Sequence, residues 1–251
     1  MPLYVQALLW GLLAGSALII GAALASVPRI PQRLIAAIMA FGAGVLISAL
    51  SFELIDVAHQ RGGLASTAIG FLLGAAAFTA ANVWITRSGG HHRKRSAGDM
   101  QQHAHQGGGL AIAVGALFDG IPESVTIGVG LLADRNVGLV AVAAVFLSKL
   151  PEGLSSATGM RKAGRSNFYI FGVWGGIVLA CGVAAMLGNM LLAQADPAIA
   201  AVVLAIAAGA ILAMIVDTMI PEAFEDTHEY AGLITVFGFL AAFALSKFAE
   251  H

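Results

Sequence analysis

Charge is what this chain has least of. Only 11% of its 251 residues are charged, against about 25% in a typical soluble domain. Hydrophobic residues make up 59%, and mean hydropathy is +0.87. The single cysteine, Cys181, lies in an apolar run, which excludes a disulfide framework and any cysteine-based metal motif. There is no H-E-x-x-H segment and no P-loop, so a zinc metalloprotease and a nucleotide-driven machine both drop out. The first apolar stretch lacks the basic flank of a signal peptide and exceeds the length of its apolar core, so it reads as a helix. No nucleic-acid partner is expected. What is abundant is glycine, 31 residues, as in membrane bundles where small residues let helices approach closely and slide. The composition predicts an all-α polytopic membrane bundle in contact with lipid, with residues 1–251 as one transmembrane domain.

A membrane crossing needs about 20 apolar residues. Eight such stretches are read at 4–27, 34–58, 64–86, 108–132, 137–160, 168–193, 198–222 and 230–248. The loops after the first, third and fifth carry Arg29 and Arg33; Arg87, Arg93, Lys94 and Arg95; and Arg161, Lys162 and Arg165. Those after the second, fourth and sixth carry only Arg61 and Arg135. The basic side faces the cytoplasm, which places both termini outside. The segment 87–107 is a cytoplasmic, His-rich, disordered loop by composition. Its His91, His92, His103 and His105 are weak candidates for a transition metal; the alternative is a solvated linker with incidental histidines. Residues 40–47 and 205–212 resemble each other (Ala40 to Gly44 against Ala205 to Gly209), and both run on to acidic residues. Internal repeats are frequent in transporters, and chance similarity of two membrane helices is the competing explanation.

The acidic residues inside the apolar stretches share a frame. Asp119-Gly-Ile-Pro122-Glu123 and Ser148-Lys-Leu-Pro151-Glu152 both read polar-x-x-Pro-Glu, and Pro221-Glu222 closes a third stretch. Each carboxylate placed mid-membrane costs roughly 2.5 to 3.5 kcal/mol on insertion scales, so a repeated one points to use. Residues four apart share a helix face, which stacks Asp119 with Glu123 and Ser148 with Glu152. A short connection near 134–136 makes the two spans an antiparallel hairpin, with Glu123 and Glu152 at similar depth. Pro122 and Pro151 cannot donate to the carbonyls of Phe118 and Leu147. Carboxylates, a hydroxyl and freed carbonyls together make an oxygen-rich cation site. The bland alternative is packing polarity, with Lys149 pairing Glu152 three residues along its own helix.

This frame resembles the Zrt/Irt-like (ZIP) family of divalent metal transporters, which have eight spans, outer termini and a His-containing loop between spans 3 and 4. Their fourth span carries His-Asn-x-Pro-Glu-Gly, and their fifth carries a similar Pro-Glu or Pro-His frame. The Ala-Gly-Ala-Ile-Leu-Ala run at 208–213, followed by Asp217-Thr-Met-Ile-Pro-Glu222, is similar to their seventh span. The resemblance implies that Asp119, Glu123, Ser148 and Glu152 are metal ligands, with Glu123 and Glu152 at the family's two bridging positions. The chain departs from that pattern. Asp119 stands where the family has its His, Gly120 where it has Asn, Ser148 where it has His or Gln, and Lys149 where it has an acid or amide. The part of span 6 expected to add a carboxylate reads Val173-Trp-Gly-Gly176. Lys149 is therefore expected to act as a surrogate cation for a lost second metal. An all-oxygen site suits harder ions, so the resemblance implies zinc, with manganese or iron(II) as alternatives.

Glu53, Asp56 and His59 are expected as an outer vestibule, and Asp217 and Glu222 as an inner exit. The expected function is transport of divalent metal cations across the plasma membrane, with no enzymatic activity and no bound cofactor. By resemblance, a homodimer is compatible. Two other readings stay open: a transport-inactive relative acting as a metal sensor or assembly partner, and an intramembrane aspartyl protease using Asp119 and Asp217.

Overall fold

The structure is a computed structural model that describes residues 1–26, 30–85, 87, 108–133 and 135–249. The loop histidines lie outside these residues. Among the described residues all regular structure is helical: α1 (Leu3–Leu24), α2 (Gln32–Ala49), α3 (Ile55–Ile85), α4 (Gly108–Ala133), α5 (Arg135–Lys162), α6 (Asn167–Leu192), α7 (Pro197–Met214), α8 (Ile220–Thr227) and α9 (Ala231–Ala249). Among the described residues, five stretches are long and apolar enough to cross a membrane: Leu3–Leu24, Gln32–Trp84, Gly115–Leu132, Asn167–Leu192 and Pro197–Phe248. The second and fifth run for 53 and 52 residues, and at about 1.5 Å per residue each exceeds one bilayer thickness. Each is interrupted by a residue at positive φ: Gly63 (φ 71°, ψ 174°) within α3, and His228 (φ 47°) between α8 and α9. The Gly63 conformation is essentially closed to residues with a Cβ, so α3 divides into rods 55–62 and 64–85. Helix ends follow local chemistry. Ser166 accepts a hydrogen bond from the Tyr169 amide, and Asp196 accepts one from Ala198 just before Pro197. Gly164 (φ 80°) closes α5, with the Arg165 amide donating to the Met160 carbonyl and the Gly164 amide to that of Arg161.

The internal repeat is visible in three dimensions. Helices α2 and α7 each have 18 residues, and each passes into a five-residue π-helical segment, Leu50–Leu54 and Ile215–Met219. A Cβ on Gly44 would overlap the Thr235 carbonyl, and one on Gly238 the Phe41 carbonyl; the α3–α7 pair repeats this with Gly209 against Phe71 and Gly74 against Ile206. The matching glycines, Gly44 and Gly209, are those of the sequence repeat. Both repeats therefore seat backbone on backbone at the same point.

The helices sort into two groups by packing. Helix α1 packs on α5 and α6, and α4 also packs on α5 and α6; α2 packs on α8 and α9, and α3 packs on α7. One hydrophobic cluster around Leu18, Met160, Ile170 and Trp174 belongs to the first group. Another, centred on Met39, Leu46, Leu204, Ile211 and Ile215, belongs mainly to the second. The groups meet where α2 crosses α5 and α4 crosses α7. The tightest glycine contacts lie within groups: Gly21 and Gly153 join α1 to α5, and Gly128 joins α4 to α6. Glycine thus brings helix backbones together within each group. Across the seam, a Cβ on Gly42 would stand 3.2 Å from the Ser148 Cα, an approach that a small shift would accommodate.

The polarity of the packing is inverted relative to a soluble protein. Phe118, Ile121 and Leu147 are exposed, while Asp119, Glu123, Ser148 and Lys149 beside them are buried. Such a distribution is compatible with a membrane protein.

Gly209→Ala is expected to destabilise the fold by about 1–3 kcal/mol through overpacking, whereas Gly175→Ala, with nothing within 4 Å of the added carbon, should leave it near wild type. Thermal unfolding of the detergent-solubilised variants measures the contrast.

Candidate functional site

Most buried polar side chains sit on α4 and α5. Pro122 and Pro151 lie inside these helices. Around them, hydroxyls bond locally to backbone carbonyls: Ser124 donates to Gly120 (2.7 Å), Thr126 to Glu123 (2.6 Å) and Ser148 to Val145 (2.9 Å). Such bonds satisfy side-chain donors in a setting where water is scarce.

Asp119, Glu123 and Lys149 are each 1% exposed, Ser148 2% and Glu152 6%. The Lys149 ammonium lies 2.5 Å from Glu123 Oε2. This pair crosses from α5 to α4, in addition to whatever Lys149 shares with Glu152 on its own helix. Gly120 makes room for it. A Cβ there would lie 3.2 Å from Lys149 Nζ and 3.0 Å from Cys181 Sγ. The position emptied on α4 is filled from α5 and α6.

Cys181 is the span 6 residue that faces the site: it is fully buried, and its Sγ is 3.8 Å from the Gly120 carbonyl oxygen. The Val173–Gly176 stretch lies more than a helical turn away, with Trp174 buried in an apolar cluster and no atom within 4 Å of a Cβ on Gly176. Nothing in the spacing tied Cys181 to α4, so sequence reasoning passed over it.

The four expected ligands share the buried α4–α5 region. Among the described residues, no three His, Cys, Asp or Glu side chains stand close enough to enclose a metal ion.

The flanking residues are also redistributed. Glu53 is buried and accepts a hydrogen bond from Ser246 of α9. It lines a cleft between the two groups together with Thr126, Leu46, Val145 and Ile211. Asp56 and His59 are exposed, and Asp56 accepts from Gln60 (2.7 Å). The π-helical segment Leu50–Leu54 has more residues per turn than an α-helix, so Glu53 does not keep the face of Asp56 and His59. The expected inner pair also differs in exposure. Asp217 falls in the π-helical segment Ile215–Met219 and is exposed, whereas half-buried Glu222 accepts a 2.6 Å hydrogen bond from Ser155 of α5. Ser155 and Ser246 were not anticipated; the Ser155-Ser156 pair within an apolar helix was the available signal for the first.

No protein-family model matches this sequence, and no curated protein matches it.

Removing one partner of a buried ion pair strands the other charge, at a cost of about 3–5 kcal/mol. Lys149→Met is expected to lose stability in that range. The double variant Lys149→Met/Glu123→Gln should recover much of it, as measured by a double-mutant cycle on thermal or denaturant unfolding.

Proposed function

We propose that this protein carries a divalent metal cation across a membrane through the buried carboxylates of α4 and α5. The observation that carries the reading is the burial of Asp119, Glu123 and Glu152, with Lys149 among them, inside helices whose outer faces are apolar. Carboxylates in such a place are expensive and are mostly found where ions pass. The path has eight crossings in this reading: α1, α2 through residue 62, residues 64–85, α4, α5, α6, α7 through α8, and α9. The Lys and Arg distribution puts both termini outside and the membrane is the plasma membrane. Asp119, Glu123, Ser148 and Glu152 bind the ion. Lys149, beside Glu123 where Gly120 leaves space, replaces a second ion and makes the site mononuclear. Zinc is the first candidate, with manganese and iron(II) as the alternatives for an oxygen-rich site. The division into two groups, each with close glycine contacts, supports a rocking motion along the α2–α5 and α4–α7 seam. The protease reading finds no support, since Asp119 is buried on α4 while Asp217 is exposed.

One observation favours a second reading. Lys149 already engages Glu123, and no three ligand-type side chains converge among the described residues. A relative that binds metal without moving it, as a sensor or assembly partner, would have this appearance.

Proteoliposome uptake of zinc, manganese, iron(II) and cadmium separates the two. Transport predicts flux for at least one ion, falling at least about 100-fold in Glu123→Ala and Glu152→Ala, as expected when a charged ligand is lost. Folded protein that binds an ion but shows no flux would establish the second reading. Metal content of the purified chain tests the role of Lys149: one ion per chain in the wild type is expected, and two would overturn it.

A further inference from the structure

The hydrogen bond from Ser155 to Glu222 joins the two helix groups. Ser155 is on α5, three residues beyond Glu152, and is fully buried. That separation is about 4.5 Å of helix rise. Glu222 is on α8, in the other group, and is half-buried. Their 2.6 Å contact spans two helices that otherwise scarcely touch, since α8 packs mainly on α2. It lies between the buried carboxylates and the basic end of α5, at Arg161 and Lys162. Any displacement of one group along the other must lengthen this bond.

We propose that Ser155 is a positioning residue that holds Glu222 across the seam and keeps the path between the buried carboxylates and the basic end of α5 shut until the bond opens. The proposal rests on the transport reading and on its placement of the basic end of α5 in the cytoplasm, which modification from both sides of the vesicle checks separately. A hydroxyl bonded to a carboxylate is a strong, directional and water-sensitive contact. It suits a joint that must hold in one arrangement and release in the other. Once released, Glu222 presents its carboxylate to a departing cation.

The chain carries its own reporter. Cys181 is the single cysteine, is fully buried, and lies against Gly120 at the level of the Lys149–Glu123 pair. Its rate of modification by a small cationic methanethiosulfonate, applied to the metal-free protein in inside-out and, separately, right-side-out vesicles, reads access along this path. Slow modification is expected in the wild type and in Ser155→Thr, which keeps the hydroxyl. Ser155→Ala and Glu222→Ala should react at least about 10-fold faster, the population shift expected on losing a hydrogen bond to a charged group. Glu222→Ala alters a half-buried residue and serves as the second variant if Ser155→Ala fails to fold. Wild-type modification rates in the folded variants would overturn the proposal. So would equally fast modification of Ser155→Thr and Ser155→Ala, which would point to loosened packing instead of a lost bond. Because no flux is measured, an absence of metal transport would overturn the transport reading alone and leave this result standing.

Discussion

The Lys149–Glu123 pair is the interaction around which the rest of the polar interior is arranged. An isolated carboxylate moved from water into a medium like the protein interior faces an idealised penalty on the order of 20 kcal/mol. Glu123, at 1% exposure, is tolerable there because an ammonium stands 2.5 Å away. That ammonium needs space, and the missing side chain of Gly120 supplies it. The long aliphatic stem of Lys149 comes from α5, so the pair also ties α4 to α5 at the depth of the two prolines.

Around this centre the molecule uses two kinds of contact. Within each group, glycines bring backbones so close that added carbons would overlap carbonyl oxygens. Dispersion and close packing, not the hydrophobic effect, hold helices together in lipid, and these contacts maximise both. Between the groups the contacts are of another sort: a cleft with a single carboxylate, Glu53, among apolar neighbours, and the Ser155–Glu222 hydrogen bond. These add to the packing of α2 on α5 and of α4 on α7 across the same seam.

Much of this was legible in the sequence. The helices follow from apolar length, and their ends from Ser166, Asp196, Pro197 and the glycines at positive φ. The burial of the paired frames follows from the cost of carboxylates, and the repeat from the shared positions of Gly44 and Gly209. What was not legible has a common cause. Helix periodicity says which residues share a face but not which neighbouring helix that face meets. The pairing of Lys149 with Glu123, the approach of Cys181 to Gly120, and the reach of Ser155 to Glu222 are all contacts between helices. A π-helical segment broke the periodicity itself. Reading Glu53 with Asp56 and His59 assumed 3.6 residues per turn through a turn that has more.

Formal charge gives the lysine a meaning beyond pairing. Asp119, Glu123 and Glu152 carry three negative charges and Lys149 one positive, leaving a deficit that a single divalent cation cancels. Without the lysine, one such ion would leave a net negative charge in a low-dielectric interior and two would leave a positive one, and either imbalance is costly there. If the chain carries a divalent cation as proposed, a fixed cation does what a second bound ion would do for the carboxylates, without having to be captured from solution. On the transport reading, its tether also keeps it from leaving with the cargo. A permanent occupant of the second position leaves the remaining oxygens free to bind and release one ion at a time. The tight embrace of Glu123 by Lys149 is then compatible with a working site, provided that Glu123 offers its other oxygen to the ion.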